Sequence, residues 1–291
     1  MASLKEIKGR IASVRSTQKI TSAMKMVASA KLHRAQSAIA GMLPYEQKLS
    51  SMLTMFLGGE SEVTSPFAEN RPVQKVIFVV FSSNSSLCGA YNSNVFKQLK
   101  QAMEQYKHLP NENILIYPIG KKIAQSVEKA GYHTIGNHFE ELAEKPSYEE
   151  TNRIASDLMQ QFLAHKVDRI ELLYHHLKST ASQVIVHKNF LPISIEEMQK
   201  ASATPVQIPD YIVEPSRGEL LTTLLPQAIS FSLFTALLDS NASEHAARMM
   251  AMQIATDNAE DLLQELTILY NKSRQQAITS ELLDIIGGSM K

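Results

Sequence analysis

The sequence predicts an α/β protein in which two long helices, one at each end of the chain, form an antiparallel coiled coil joined to a central Rossmann-like α/β domain. Each end of the 291-residue chain carries a long stretch without glycine or proline, with apolar residues at helical spacing. The middle alternates apolar, β-branched runs with helical stretches, which is typical of a mainly parallel sheet covered by helices. We therefore expect segments 1–58 and 217–288 to form the coiled coil and segment 72–215 to form the α/β domain.

The first long helix is predicted from apolar residues that recur at alternating steps of three and four, the spacing of a coiled-coil seam. No glycine or proline interrupts the chain between Arg10 and Ala40. Gly58 and Gly59 are expected to end the helix, and Pro44 marks a candidate kink. The predicted seam residues are Leu4, Ile7, Ile11, Val14, Thr17, Thr21, Met24, Ala28, Leu32, Ala35, Ile39 and Met42.

The stretch from Ile20 to Leu32, ITSAMKMVASAKL, has good helix propensity but is apolar on more than one side. Ile20 and Val27 lie off the predicted seam. Two paired helices bury only one face each, so these residues, like Met250 and Ile254 on the last helix, are left without cover. The pattern predicts that other chains surround the helix pair, and that alanine and serine keep the pair slim.

The last long helix is predicted from a stretch without glycine or proline between Gln227 and Ile286, with apolar residues at helical spacing. The sequence GGSMK that follows is expected to end it. The first helix carries mainly Lys and Arg before Glu46, whereas the last helix carries an excess of Asp and Glu. Opposite charges favour the pairing of these two helices with each other in antiparallel orientation.

The central region alternates predicted strands and helices. Strands are expected at 75–81, 114–119, 169–177 and 182–190, helices at 92–107, 121–130 and 148–165, and a short YHTI segment after the second of these helices. The segment Thr204–Ser216 carries three prolines. We expect it to be an irregular or edge segment that leads into the last helix.

Composition and motifs give little indication of chemistry. Lys and Arg number 29, as do Asp and Glu, so the net charge does not indicate a nucleic-acid or lipid partner. Cys88 is the only cysteine, which excludes an internal disulfide and a cysteine zinc site, and we expect it to be buried. The loop Ser82–Asn92 follows an apolar strand, where α/β proteins bind phosphates, but it matches neither glycine-rich phosphate motif. His175 and His187 form a possible cross-strand pair without a third ligand. We expect no catalytic residue, cofactor or metal site.

The chain carries no apolar run that approaches the roughly 20 residues of a membrane span. Its N-terminus is rich in Lys and Arg, but this pattern continues well past the usual length of a presequence. We expect an intracellular protein without a transmembrane segment.

Three stretches of the sequence resemble one family closely. They are IKGRIASVRSTQKITSAMKMVASAKLHRAQ near the N-terminus, SEHAARMMAMQIATDNAEDLLQELTILYNKSRQQAITSELLDIIGG near the C-terminus, and LCGAYN after the first apolar strand. All three are similar to the gamma subunit of F-type ATP synthases. The region from about 97 to 215 matches that family only in its general α/β character.

The resemblance implies a rotor shaft that is not itself catalytic. The paired helices would run through a hexamer of alternating alpha and beta subunits, with the catalytic sites on beta. The α/β domain would sit on the ring of membrane c subunits beside the epsilon subunit. The chain would transmit torque between ring and hexamer during proton-driven ATP synthesis. It would be a peripheral membrane protein on the cytoplasmic face of a bacterial inner membrane, without a nucleic-acid partner.

The resemblance also implies roles for individual residues. Positions that match those contacting the beta-subunit catch loop are Arg274, Gln275 and Thr279. Met24 and Lys25 match the level that faces the acidic lever loop of beta. The tip held in the hydrophobic bearing of the hexamer corresponds to Leu282, Leu283, Ile285 and Ile286.

The chain departs from the family pattern in the loop after the first strand, where Asn84, Ser85 and Ser86 stand in place of the usual Asp, Arg and Gly, and after Gly120, Lys121 and Lys122, where the usual aromatic pair is missing. The contact that this Arg makes with the acidic lever is therefore not carried over. The paired cysteines of the chloroplast form are absent, so we expect no thiol switch. Two alternatives remain open: a nucleotide-dependent α/β enzyme with helical arms, which would bind ATP, and a scaffold or nucleic-acid-binding coiled coil, which would bind DNA with strong salt dependence.

Overall fold

The fold is taken from a computed structural model, which describes residues 3–57, 65–136, 139–194 and 217–289. The chain divides into two compact units. The two-helix unit comprises Met1–Ser29 and Arg248–Lys291, and the α/β unit comprises Ala30–Ala247. The predicted glycine end of the first helix and the proline-rich segment Thr204–Ser216 lie outside the described residues.

Both predicted long helices are present. Helix α1 spans Leu4–Leu57 and contains Pro44, and the last helix, α6, spans Arg217–Ser289 and contains Pro226. The prediction that glycine ends the last helix was wrong, because α6 continues through Gly287 and Gly288. Glycine lowers helix stability by about 1 kcal/mol relative to alanine but does not forbid the helical conformation.

The α/β unit contains a five-stranded sheet in the order β3-β2-β1-β4-β5. The strands are β1 (Val76–Phe81), β2 (Ile114–Ile119), β3 (His133–Thr134), β4 (Arg169–Ser179) and β5 (Ser182–Leu191). Strand β1 pairs in parallel with both β2 and β4, and β2 pairs in parallel with β3. Only β5, at one edge, runs antiparallel to its neighbour. The prediction of a mainly parallel sheet is confirmed.

Four shorter helices connect these strands. They are α2 (Tyr91–Met103), α3 (Lys121–Lys129), α4 (Glu140–Glu144) and α5 (Tyr148–Leu163). Helix α2 ends earlier than predicted because the chain tightens into a 3-10 turn at Glu104–Tyr106. Helix α4 was not predicted, since five residues are too few to show a helical period.

All six side chains of β1 are buried because helices cover both faces of the sheet. One face packs against α1, α5 and α6, and its buried residues include Leu49, Leu53, Leu158, Phe162, Leu233 and Leu237. The other face packs against α2 and α3 through Val95, Leu99, Ile123 and Val127. The continuous apolar pattern of the strand follows from this three-layer packing.

A buried carboxylate links β4, β5 and the turn after α2. Glu171 is 2% exposed, its Oε1 accepts a hydrogen bond from Tyr106 Oη at 2.5 Å, and its Oε2 lies 2.6 Å from His187 Nε2. Burial alone would raise the pKa of Glu171, but the hydrogen bonds from His187 and Tyr106 and the charge of Arg169 hold that pKa below its ordinary value. Glu171 is therefore a charged group that stabilises the fold when it is ionised.

Acid should weaken the α/β unit through His175, which stacks on Tyr91 and is 2% exposed. Burial lowers the pKa of His175 from 6.5 to about 4. Between these pH values the unfolded chain binds a proton at His175 that the folded chain does not bind. The free energy of unfolding should fall as pH drops from 6.5 to 4, by about 3 kcal/mol in all.

Urea denaturation across this pH range measures the effect, with His175→Phe as the comparison. The variant should lose most of the slope between pH 6.5 and 5 while keeping the loss at lower pH that Glu171 causes on protonation. An unchanged slope in His175→Phe would contradict this assignment.

Candidate interaction surface of the paired helices

Two side-chain contacts define how the helices of the two-helix unit meet. Thr256 Oγ1 donates to Thr21 Oγ1 at 2.9 Å, and Lys25 Nζ donates to Gln253 Oε1 at 2.8 Å. Residue numbers rise along α1 where they fall along α6, so the pair is antiparallel. Both contacts also lie on a line of buried and half-buried residues that runs along each helix.

That buried line is the seam between the helices. Its most buried members are Ile7, Ala28, Met252, Ala259 and Leu266, spaced by multiples of three- and four-residue steps. The predicted seam was wrong at one position, because Thr17 is exposed and Gln18 is half-buried in its place. Steps of three and four alternate strictly from Ile11 to Ala28 only if Gln18 and Lys25 are seam residues, and both are half-buried.

Large apolar side chains surround this seam on the outside of the pair. Ile20 is 57% exposed, Val27 is 58% exposed and Ile254 is 56% exposed. Met250, which we expected to be uncovered, and Met24, a predicted seam residue, are both half-buried. Further exposed apolar residues of this unit are Met26, Leu262, Ile268, Leu269 and Ile278. Such a density of exposed apolar side chains along two helices is typical of a surface that binds other proteins.

The end of α6 extends beyond the start of α1 in the part of the chain that the structure describes. Extending the register of the two contacts places Leu4, the first residue of α1, opposite Ser273. Every described residue from Ile278 to Ser289 is exposed. The apolar members of this segment, hereafter the tip, are Leu282, Leu283, Ile285 and Ile286, which are 54%, 63%, 67% and 55% exposed.

The loop after β1 uses its polar atoms to cap α3. The first three backbone N–H groups of α3 donate to Asn84 Oδ1, the Ser83 carbonyl and Ser82 Oγ, at 3.0, 3.0 and 2.9 Å. A phosphate at a helix N-terminus is bound by those same N–H groups. This helix end is therefore already occupied by the protein's own acceptors.

Cys88 lies in the same loop and is buried, as predicted. Asn92 Nδ2 donates to its sulfur at 3.2 Å, and Asn92 also bonds the backbone and the hydroxyl of Ser83. These contacts give the thiol a packing role. The preceding residue, Leu87, has a φ of 67° and is 59% exposed.

The possible histidine pair on β4 and β5 is not formed. The register places His175 opposite Ile185 and His187 opposite Leu173. His175 stacks on Tyr91, whereas His187 binds Glu171. Within the described ranges, no group of three or more His, Cys, Asp or Glu side chains is arranged to hold a metal ion. Among the helices of those ranges, none has an apolar stretch long enough to cross a bilayer.

Comparison with known proteins identifies the family. The family model described as ATP synthase matches residues 3–290. The ATP synthase gamma chain of Phocaeicola vulgatus is 58% identical over 290 residues that cover 100% of both chains. The chain belongs to the ATP synthase gamma chain family. The gamma chain of Bacteroides fragilis is 57% identical with the same coverage.

A solved structure shares the fold of this gamma-family chain. The rotor of Euglena gracilis mitochondrial ATP synthase, in its rotational state 1, superposes with a TM-score of 0.62 at 20% identity. The match covers 94% of this chain and 98% of the other. The mixed α/β fold with long terminal helices is thus similar to that of this rotor chain.

The residues that match family contact positions lie on α1 and α6. Arg274, Gln275 and Thr279 are exposed, and Thr279 Oγ1 donates to the carbonyl of Gln275 at 2.9 Å. Within the part of the chain that the structure describes, Arg274 makes no ion pair. Lys25 instead points into the seam, where Gln253 accepts its hydrogen bond.

The gamma-family loop in which this chain differs is anchored through Asn84. Its Nδ2 donates to the Glu140 carbonyl at 2.6 Å, while its Oδ1 accepts from the Lys121 backbone. An amide performs both tasks, whereas an aspartate would only accept. Ser85 and Ser86 are exposed beside it. Asn84 therefore joins the loop to both α3 and α4.

The isolated chain should not bind Mg-ATP. The N-terminus of α3 is capped by Ser82, Ser83 and Asn84, and the loop has no lysine to neutralise a phosphate. Isothermal titration with Mg-ATP should give no measurable heat of binding. Micromolar affinity, or turnover by the purified chain, would favour the nucleotide-dependent enzyme over a gamma subunit without a nucleotide site.

Proposed function

We propose that this chain is the central-stalk rotor subunit of an F-type ATP synthase. The observation that carries the proposal is the two-helix unit, whose buried seam is surrounded by exposed apolar residues such as Ile20, Val27 and Ile254. An isolated helix pair leaves these apolar side chains in water, whereas a helix pair enclosed by other subunits would bury them. The helices would rotate inside a hexamer of alpha and beta subunits and transmit torque from the membrane c ring.

The chain itself would be non-catalytic. Ser82, Ser83 and Asn84 are used to cap α3, and Glu171, the buried carboxylate of the sheet, is bound by Tyr106 and His187. The proposed role requires only that the chain impose asymmetry on its neighbours. Catalysis would belong to the beta subunits, where ATP forms or is hydrolysed.

Three contact regions follow for the two-helix unit. Arg274, Gln275 and Thr279 would bind the catch loop of beta through hydrogen bonds, and their exposure on one stretch of α6 supports this. Met24 and Lys25 would lie at the level of the acidic lever loop. A hydrophobic bearing at the top of the hexamer would hold the tip, Leu282, Leu283, Ile285 and Ile286, because apolar side chains more than half exposed are stabilised by such a collar.

The α/β unit would form the foot of the rotor, on the c ring beside the epsilon subunit. The subunit would be peripheral, on the cytoplasmic face of a bacterial inner membrane, and its bacterial relatives support this setting. We also propose a Rossmann-like sheet, since the strand order reverses beside β1. The division into 1–58, 72–215 and 217–288 is retained as a proposal for the functional segments.

Hydrogen exchange tests whether other subunits enclose the helices. In the free chain, amides in 11–32 and 250–286 should exchange fast, because local opening of an exposed helix pair costs little. Assembly with alpha and beta should slow both segments strongly. Strand β1 is fully buried within the α/β unit and provides an internal control that should exchange equally slowly in both states. Equal exchange of the two segments before and after assembly would contradict the proposal.

A further inference from the structure

The middle of the helix seam is polar. Thr21, Lys25, Gln253 and Thr256, hereafter the polar layer, contact each other across the pair. Towards the start of α1, the seam is lined by apolar residues such as Ile7 and Leu266. Towards its other end lies Ala28, which is 2% exposed but contributes little apolar surface. The polar contacts are therefore the most specific interactions in this stretch.

The hydrogen bonds of the polar layer continue on each helix. Thr21 Oγ1 lies 3.1 Å from the Gln18 carbonyl, to which it donates while it accepts from Thr256. Gln253 uses its oxygen to accept from Lys25 and its nitrogen to donate to Asp257 Oδ1 at 2.7 Å. The two bonds that cross the pair, Thr256 to Thr21 and Lys25 to Gln253, depend on the facing residue being in this place, whereas the other two each lie within one helix.

Apolar layers do not distinguish one register from the next. If α6 moved along α1 by one helical turn, the side chains of Ile7, Ile11, Leu263 and Leu266 would still meet apolar partners. The polar layer would not: moving α6 by four residues in the direction that sets Ile7 opposite Leu266 places Thr21 opposite Met252 and Lys25 opposite Met249, where the Lys25 ammonium loses the acceptor that Gln253 provides. Polar residues in coiled-coil cores fix register in this way, and they do so at a cost in stability.

We propose that the polar layer sets the axial register of α6 against α1, and thereby the length of α6 that projects beyond α1 as the tip. Thr21, Lys25, Gln253 and Thr256 are positioning residues in this account. A register-setting role and a merely stabilising role predict opposite changes in helix stability when the polar layer is replaced. If the layer selects register, replacing it with apolar residues raises helix stability and lowers register specificity.

Disulfide trapping in the full chain measures the register, in a Cys88→Ser background. The facing pair is Ile11→Cys with Leu266→Cys, and the shifted pair, one turn away, is Ile7→Cys with Leu266→Cys. In the native sequence the facing pair should form its disulfide far faster, because the shifted cysteines lie beyond bonding reach. With Thr21→Val, Lys25→Leu, Gln253→Leu and Thr256→Val, the ratio of facing to shifted rates should fall by about tenfold or more.

Two further variants complete the test. The smaller change Thr21→Val with Thr256→Val is nearly isosteric and should lower the ratio less, which keeps the test usable if the fourfold variant does not fold. Thr17→Val with Thr267→Val removes two exposed hydroxyls outside the seam and should leave the ratio unchanged.

The melting temperature of the two-helix unit should rise in the fourfold variant. A lower melting temperature with an unchanged cross-linking ratio would overturn the proposal and assign the polar layer a stabilising role alone. Because the experiment uses the chain without alpha or beta subunits, its outcome does not depend on the proposed rotor function.

Discussion

Arg274→Leu should give a complex of normal subunit stoichiometry that hydrolyses ATP several-fold more slowly. Arg274 is exposed, so its loss leaves the buried seam, and with it the helix pair, intact. The proposed partner is a carboxylate on the catch loop of beta. A hydrogen bond to a charged group contributes about 1.5–3 kcal/mol, which becomes a rate effect if the contact forms and breaks during each rotation step.

Steady-state ATP hydrolysis by the assembled Arg274→Leu complex measures this effect. Lys272→Leu is the matched control, since it removes a positive charge from an exposed residue two positions away, on the opposite side of α6. It should hydrolyse ATP at close to the wild-type rate. Arg274→Lys should be intermediate, because an ammonium keeps the charge but not the paired geometry of a guanidinium. Wild-type rates for Arg274→Leu at normal stoichiometry would remove this residue from the torque path.

Gly120→Ala should destabilise the α/β unit by about 3 kcal/mol or more. Gly120 precedes α3 with a φ of 110° and a ψ of 147°, a conformation that residues with a Cβ rarely adopt. A Cβ added there would lie 2.3 Å from the Ser82 carbonyl oxygen and 2.8 Å from Ser82 Oγ. The carbonyl is backbone, so it moves only if the end of β1 moves with it, and the cap on α3 would be lost as well.

The measurement is urea denaturation followed by circular dichroism. Gly131→Ala provides the matched control, because Gly131 also has a positive φ, 74°, but no atom lies within 4 Å of its built Cβ. That variant should lose only about 1 kcal/mol, the cost of a left-handed backbone. If the two variants unfold at similar urea concentrations, the contact with Ser82 is not what requires a glycine at position 120.

Most of the fold could be predicted because its elements are long or wholly apolar. A run such as Val76–Phe81 is buried on both faces, so its strand character is evident without any knowledge of its neighbours. The helix Glu140–Glu144 was missed because it is held by packing rather than by a period of its own. The capping of α3 by Ser82 and Asn84 was also missed, since it joins residues about 40 positions apart in the chain.

The seam shows where apolar periodicity alone fails. Gln18 and Lys25 are half-buried at seam positions, but the sequence interpretation selected Thr17 in place of Gln18 and did not include Lys25 beside Met24. The burial of Lys25 becomes understandable only when the facing residue is known, because a polar side chain enters a seam when a partner across it satisfies its hydrogen bonds. The partner of Lys25, Gln253, lies 228 residues away.

The proposed contact residues are the hardest to predict from the local sequence pattern. Nothing in the local pattern separates Arg274 from any other exposed arginine, and the tip residue Ile285 resembles an unexplained apolar side chain on a surface. Their assignment depends on resemblance to the gamma family. The structure adds that these residues are exposed and available to partners.

Rotation of the chain within the assembled complex tests the central claim most directly. The hexamer would be fixed to a surface, and a bead would be attached through Lys107→Cys in a Cys88→Ser background, since the side chain of Lys107 is 74% exposed on the α/β unit. The account predicts that Mg-ATP drives unidirectional rotation of the bead, with one pause for each catalytic site in a turn. A complex that hydrolyses ATP at its normal rate while the bead stays fixed would contradict the rotor function.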